Sequence, residues 1–268
     1  MVLFQQRLGT DFINTNALGM LMAITITLSL FFMLFDKWNW SFLLSIPALM
    51  VLLLTESRTA IVELVFGISL VVFYRKSRKK GIVGSILFII ILAAVLYLSL
   101  IYLSKLSFLS GVTNRMEGLI SLITGKGTAD HSAIIRQKYI LAGIEQFKKT
   151  PLLGIGIDNS GLIAATVEGH RTYLHNNYVE ILACGGIVGF IIFYSLYSKT
   201  IIGLLKDGIK DNPINAICLV MLLMMLVADY GTVSYYDKDT YFLLLIPSIQ
   251  LYRQSKTNGD DQSDFKCT

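Results

Sequence analysis

A continuous run of about 20 apolar residues has few places to go besides the core of a bilayer. This chain carries several. "ALGMLMAITITLSLFFMLF", 17–35, contains no charge at all. Similar runs occupy 39–55, 59–74, 81–103, 176–198 and 214–230, and a shorter one falls at 240–252. Apolar residues make up 54% of the 268 positions and charged residues 15%, too few to coat a soluble domain of this size. The expected fold is therefore all-α: a polytopic membrane protein with about six or seven transmembrane helices and one large external loop containing a helix.

Charge sets the orientation. "RKSRKK", 75–80, places five positive charges in six positions between two apolar runs. That context reads as a cytoplasmic anchor rather than a nucleic-acid site. Alternation then divides the chain. Helices one to four lie within 1–103, an external loop spans 104–175, helices five to seven lie within 176–252, and a polar tail, 253–268, is cytoplasmic with the composition of a disordered segment. Lys199, Lys206 and Lys210 agree with an inner position for 198–213. On this topology "MVLFQQRLGTDFINTN", 1–16, is external and resembles a loop of a longer protein, so the chain reads as a C-terminal portion. The alternative is a seven-helix protein with a short translocated N-terminus. Cys184, Cys218 and Cys267 are scattered, and form neither a disulfide framework nor a zinc motif. No fixed-period repeat is present.

The external loop holds most of the candidate chemistry. "HSAIIRQKYILAGIEQFKKTP", 131–151, has helical spacing, with a helix expected near 132–149 and Thr150–Pro151 stopping it. Ala133, Ile140, Gly143, Ile144 and Phe147 form an apolar stripe, and Arg136 lies on it. Such an arginine either snorkels to lipid headgroups or grips a phosphate-bearing substrate with its fork of donors; spacing leaves both open. "PLLGIGIDNSG", 151–161, is a glycine-rich turn that matches no phosphate-loop fingerprint.

"RTYLHNNYVEILACGGIVGF", 171–190, then opens an apolar run with polar groups. On a helix Asn176 and Asn177 share a face with Glu180, and His175 stands at the outer end. Gly185 and Gly189 form a small-xxx-small pair that lets another helix approach. A carboxylate at membrane depth is a functional candidate by default. Arg58 sits in a tight external turn beside Glu56, where the plain reading is a surface ion pair. Arg7, Arg115 and Arg171 are external too. Arginine thus gathers outside and lysine inside, which fits an outer site for a membrane-anchored anion.

These residues resemble a family. "HNNYVEILACGGIVG", 175–189, fits His, Asn, nine residues, Gly, two residues, Gly, the signature of the O-antigen ligase and capsular polysaccharide polymerase superfamily of bacterial envelopes. "TESRTA", "RQKYILAGIEQFKKTP" and "PLLGIGIDN" look like its other landmarks, in order. "RLGTDFINTNALG" resembles its external loop ending in Asn. The resemblance covers about residues 7–250. It implies a multi-pass membrane glycosyltransferase of the cell envelope, with its site outside the cytoplasm. The implied partners are an undecaprenyl-diphosphate-linked oligosaccharide, a glycan acceptor, the lipid bilayer and other polysaccharide assembly proteins; no cofactor and no metal are implied. It also implies catalytic roles for His175, Arg136 and Arg58. Asn176, Asn177, Glu180, Arg115, Arg171 and Arg7 are candidates for binding substrate. A flippase and an inactive truncated membrane protein are the rival readings, and polymerase is favoured over ligase.

Overall fold

The computed structural model describes residues 14–35, 39–77, 131–209 and 212–264. Among these, the chain is helical and no strand occurs. The helices are α1 (Thr15–Phe35), α2 (Phe42–Leu54), α3 (Arg58–Ser77), α4 (His131–Lys149), α5 (Ser160–Glu168), α6 (Asn177–Lys206), α7 (Pro213–Ala228) and α8 (Lys238–Asp264). The span expected at 81–103, most of the external loop, Arg7 and Arg115 lie outside the described residues.

Local chemistry explains several boundaries. Asn212 caps α7 by accepting from the amides of Ile214 and Asn215, and Pro213 occupies the first turn, where its missing N–H costs nothing. Gly169 ends α5 in the left-handed conformation, at φ 74°. α4 stops at Lys149, immediately before the expected Thr150–Pro151 break.

The main core joins α1, α3, α6 and α7. α1 packs between α2 and α3, and α7 packs against α3, α6 and α8. Small residues set the spacing. A side chain at Gly19 would meet Ala60 Cβ at 2.5 Å, and one at Gly67 would meet the Met224 sulfur at 2.5 Å. One end of this bundle is polar and tightly tied. Ser57 Oγ donates to Asn16 Oδ1, and Asn16 Nδ2 donates to the Gly231 carbonyl. The start of α1, the α2–α3 turn and the α7–α8 loop therefore meet in one layer. By length and composition, α1 and α6 can cross a membrane; α2 and α7 are apolar but shorter.

α6 departs from expectation. Gly186 has φ 62° and ψ −166°, outside helical space. The helix folds back there into an outer arm, 177–185, and an inner arm, 187–206. In a straight helix Tyr178 and Tyr194 would be about 24 Å apart. Instead their rings stack with centroids 5.1 Å apart, and Asn177 Nδ2 reaches Tyr194 Oη at 3.1 Å. The continuous span expected over 176–198 is thus broken at its middle. The Gly185–Gly189 pair also does something other than admit a neighbouring helix. A Cβ at either would meet Ile181 of the outer arm at an ordinary 3.9 Å. The glycines that need to be glycine are Gly186 and its partners in the 151–157 loop.

That loop fills the fold-back. Ile155 and Gly156 donate their amides to the carbonyls of Ala183 and Cys184, while Ile187 and Val188 donate theirs to Pro151 and Leu152. The break frees these groups from the helical ladder and the loop satisfies them, as an apolar environment demands. Outside the bundle, Tyr139 of α4, Ile163 and Ala164 of α5, and Leu174 and Ala183 form a second small core. α8 also differs from expectation. It continues as helix to Asp264, through the tail whose polar composition reads as disordered.

Candidate functional site

The second core supports the loop that carries His175. This residue has φ 57°, a left-handed conformation uncommon outside glycine, which histidine, asparagine and aspartate adopt more often than other side chains. Its ring has two tyrosine rings near it. Tyr173 is 4.0 Å away between centroids, and Tyr139 is 6.1 Å away and nearly parallel, at 14°. Tyr139 follows Arg136 by three residues on α4, so both point to the same side of that helix. The His175 Nδ1 is buried with no hydrogen-bond partner. Burial, and then the nearby Arg136 charge, lower the imidazole pKa from 6.5 to about 3. The ring is neutral at neutral pH, and Arg136 stands within electrostatic reach of it.

Flanking residues fix this geometry. Glu180, fully enclosed, accepts from the Leu174 amide at 2.7 Å through Oε2. It therefore acts on the residue before His175 rather than on the ring. Asn176 caps α6 by accepting from the Val179 amide and donates to the Tyr230 carbonyl. Asn177, also fully enclosed, accepts from the amides of Ser234 and Tyr235. Its own amide donates to the Asp229 carbonyl at 2.8 Å. Asp229 in turn accepts from Tyr194 and Ser234. Both asparagine side chains are thus occupied in joining the His175 loop to the α7–α8 loop.

Of the expected site residues, the structure brings Arg136 and His175 together. Arg58, the first residue of α3, joins the same end of the molecule through its neighbours. Ser57 bonds Asn16, Asn16 bonds Gly231, and the adjacent Tyr230 carbonyl holds Asn176. A side chain at Gly231 would meet Thr59 at 2.5 Å, so turn and loop are in contact. Arg171 is exposed, with its stem against Gly161. The sequence reading missed Tyr139, Tyr173 and the α7–α8 loop. Tyr139 was detectable as the residue one turn after Arg136. Tyr173 is oriented by Asn14, which donates to its hydroxyl at 2.9 Å, a contact across the chain that no local pattern encodes.

Residues 43–194 match the family model described as O-antigen ligase, just over half of the 268 positions. The chain belongs to the O-antigen ligase family. Of the elements that build the site, this match takes in α3 with Arg58, α4 with Arg136, the His175 loop and the fold-back of α6. No curated protein matches the chain. Membership makes it a membrane-associated enzyme of the glycosyltransferase type, acting on lipid-linked polysaccharide and a glycan acceptor. In this O-antigen ligase family member, the arginine and the histidine of the candidate site come from different helical units, and the rings of Tyr173 and Tyr139 lie against the histidine.

Proposed function

We propose that this chain transfers a glycan from an undecaprenyl-diphosphate donor to a sugar hydroxyl on the outer face of the cytoplasmic membrane, inverting the anomeric carbon. Polymerase is the favoured form of that activity. The observation that carries this reading is the buried His175 imidazole, its Nδ1 without a hydrogen-bond partner, within electrostatic reach of the Arg136 guanidinium. The two groups match the two needs of the displacement. The acceptor hydroxyl must lose a proton as it attacks, and a neutral imidazole is able to take it. The leaving diphosphate must be stabilised, and guanidinium binds phosphate oxygens in bidentate fashion. Arg136 serves that role next to His175, with Arg58 completing the anion site from the α2–α3 turn. Glu180, Asn176 and Asn177 act as positioning residues that hold the loop, and Arg171 contributes positive charge at the rim.

The test uses the protein in proteoliposomes with a labelled undecaprenyl-diphosphate oligosaccharide and acceptor. His175→Asn keeps a residue that tolerates the left-handed backbone, so the fold is retained. Its expected effect is a loss of transfer of about 10²–10⁴-fold, the range for a general base. Arg136→Lys keeps charge but loses the bidentate fork, and weakens transfer less than Arg136→Ala. Wild-type turnover by the His175→Asn variant removes histidine from the chemistry. Carrier movement without glycan transfer identifies a flippase.

A further inference from the structure

We propose that the 151–157 loop and the fold-back tip of α6 form an apolar wedge seated in the outer leaflet of an anionic phospholipid bilayer, with Lys148 and Lys149 at its rim on lipid phosphates. Depth supports this first. Asn177 and Tyr194 are bonded, so the Gly186 tip stands eight residues, about 12 Å, farther out along the inner arm than Tyr194 and Asp229. α8 supplies a second marker: Tyr241 contacts Phe193, so α8 begins only about a turn above that level. The tip thus rises beyond the outer ends of α7 and α8.

Water is a poor environment for what is displayed there. Leu153 is 71% exposed, Leu152 67% and Ile157 59%. They adjoin Ile187 and Val188, whose amides bond the Pro151 and Leu152 carbonyls. Exposed Ile191 and Ile192 carry the surface down the inner arm, which goes on to show Leu196, Ile202 and Leu205. The patch is therefore continuous with the lipid-facing side of a membrane-crossing segment. Four of its backbone groups, the Ile155 and Gly156 amides and the Pro151 and Leu152 carbonyls, are bonded to the broken helix, which lowers the cost of bringing irregular chain into an apolar phase. Just before it, Lys149 and Lys148 are exposed, Lys148 with its ammonium also on Glu145 Oε1 at 2.7 Å, placed where cations meet an anionic headgroup layer. Such a wedge fixes the height of the His175 loop relative to the bilayer, because the same loop bonds the outer arm that begins two residues after His175.

Nitroxide labels test this without reference to catalysis. Single cysteines are introduced by Leu153→Cys, Ile192→Cys and Lys138→Cys in a background lacking the native cysteines, and each protein is reconstituted in phosphatidylglycerol-containing bilayers. Leu152→Cys replaces Leu153→Cys if the latter fails to fold. The expected result is that the label at 153 resembles that at 192: its relaxation responds to oxygen several-fold more than to a water-soluble nickel complex, the reverse of position 138. A label at 153 that responds to nickel as position 138 does places the loop in water and overturns the proposal. A label shielded from both reagents means that protein, from this chain or a second copy, covers the patch, and overturns it equally.

Discussion

His175 occupies backbone space that costs a non-glycine residue on the order of 1–3 kcal/mol, and such outliers persist where the surroundings enforce them. Here the enforcement is visible on both sides: Glu180 holds the Leu174 amide and Asn176 caps the next helix. The depressed imidazole pKa has consequences in pH. Between pH 6.5 and about 3 the unfolded chain binds a proton that the folded residue refuses, so this residue makes stability fall as pH drops through that window. In catalysis, the free protein already holds the base neutral, so kcat/KM shows no acid limb from His175 near neutrality. A bound diphosphate offsets the Arg136 charge and raises the imidazole pKa. The acid limb of kcat is therefore expected at higher pH than that of kcat/KM, read from the two profiles at saturating and limiting donor, followed down to about pH 3. Coincident limbs would remove the charge coupling. His175 and Arg136 were legible as residues because both types are conspicuous in apolar surroundings. The lowered pKa was not, since it depends on burial under Tyr139 and Tyr173.

The fold-back of α6 depends on one glycine. A Cβ at Gly186 would stand 2.2 Å from the Leu152 carbonyl oxygen, at a φ of 62°. Gly186→Ala is expected to destabilise the protein by about 3 kcal/mol or more, adding backbone strain to overlap with main chain that has nowhere to move. Gly189→Ala, whose Cβ meets only Ile181 at 3.9 Å, is expected to leave the thermal midpoint nearly unchanged. Equal midpoints for the two variants would mean the helix does not fold back. The Glu180 clamp gives a second contrast. Glu180→Ala leaves a buried amide without its acceptor, a loss of about 1–3 kcal/mol, whereas Glu180→Gln retains an acceptor oxygen and rescues much of the stability and transfer. Comparable loss in both variants would assign the role to the negative charge instead. Hydropathy located this element and gave no sign of the break, because Gly-Gly within an apolar run changes the direction of the chain without changing its polarity. Helix ends read better, since caps such as Asn212 and stops such as Thr150–Pro151 act within a few residues.

At the level of the whole molecule, the starts of α1 and α3, the end of α7 and the His175 loop meet at one end, and Lys206 lies at the other. An outward-facing site then predicts the labelling pattern of single cysteines. In a background without Cys184, Cys218 and Cys267, Arg171→Cys should react with a membrane-impermeant maleimide in intact cells, and Lys206→Cys only after lysis. The opposite pattern would turn the molecule over and place the site in the cytoplasm. The sequence by itself determined that this chain belongs in a membrane, where most of its described helices run and which residues are candidates for chemistry. Those properties follow from local hydropathy, charge and capping, which need no knowledge of distant contacts. Only the tertiary structure decided that α6 doubles back, that the 151–157 loop completes its hydrogen bonds, and that Arg136 meets His175. Each of these rests on groups far apart in the chain being brought together, and the first two also on a single torsion at Gly186 that no periodic pattern records.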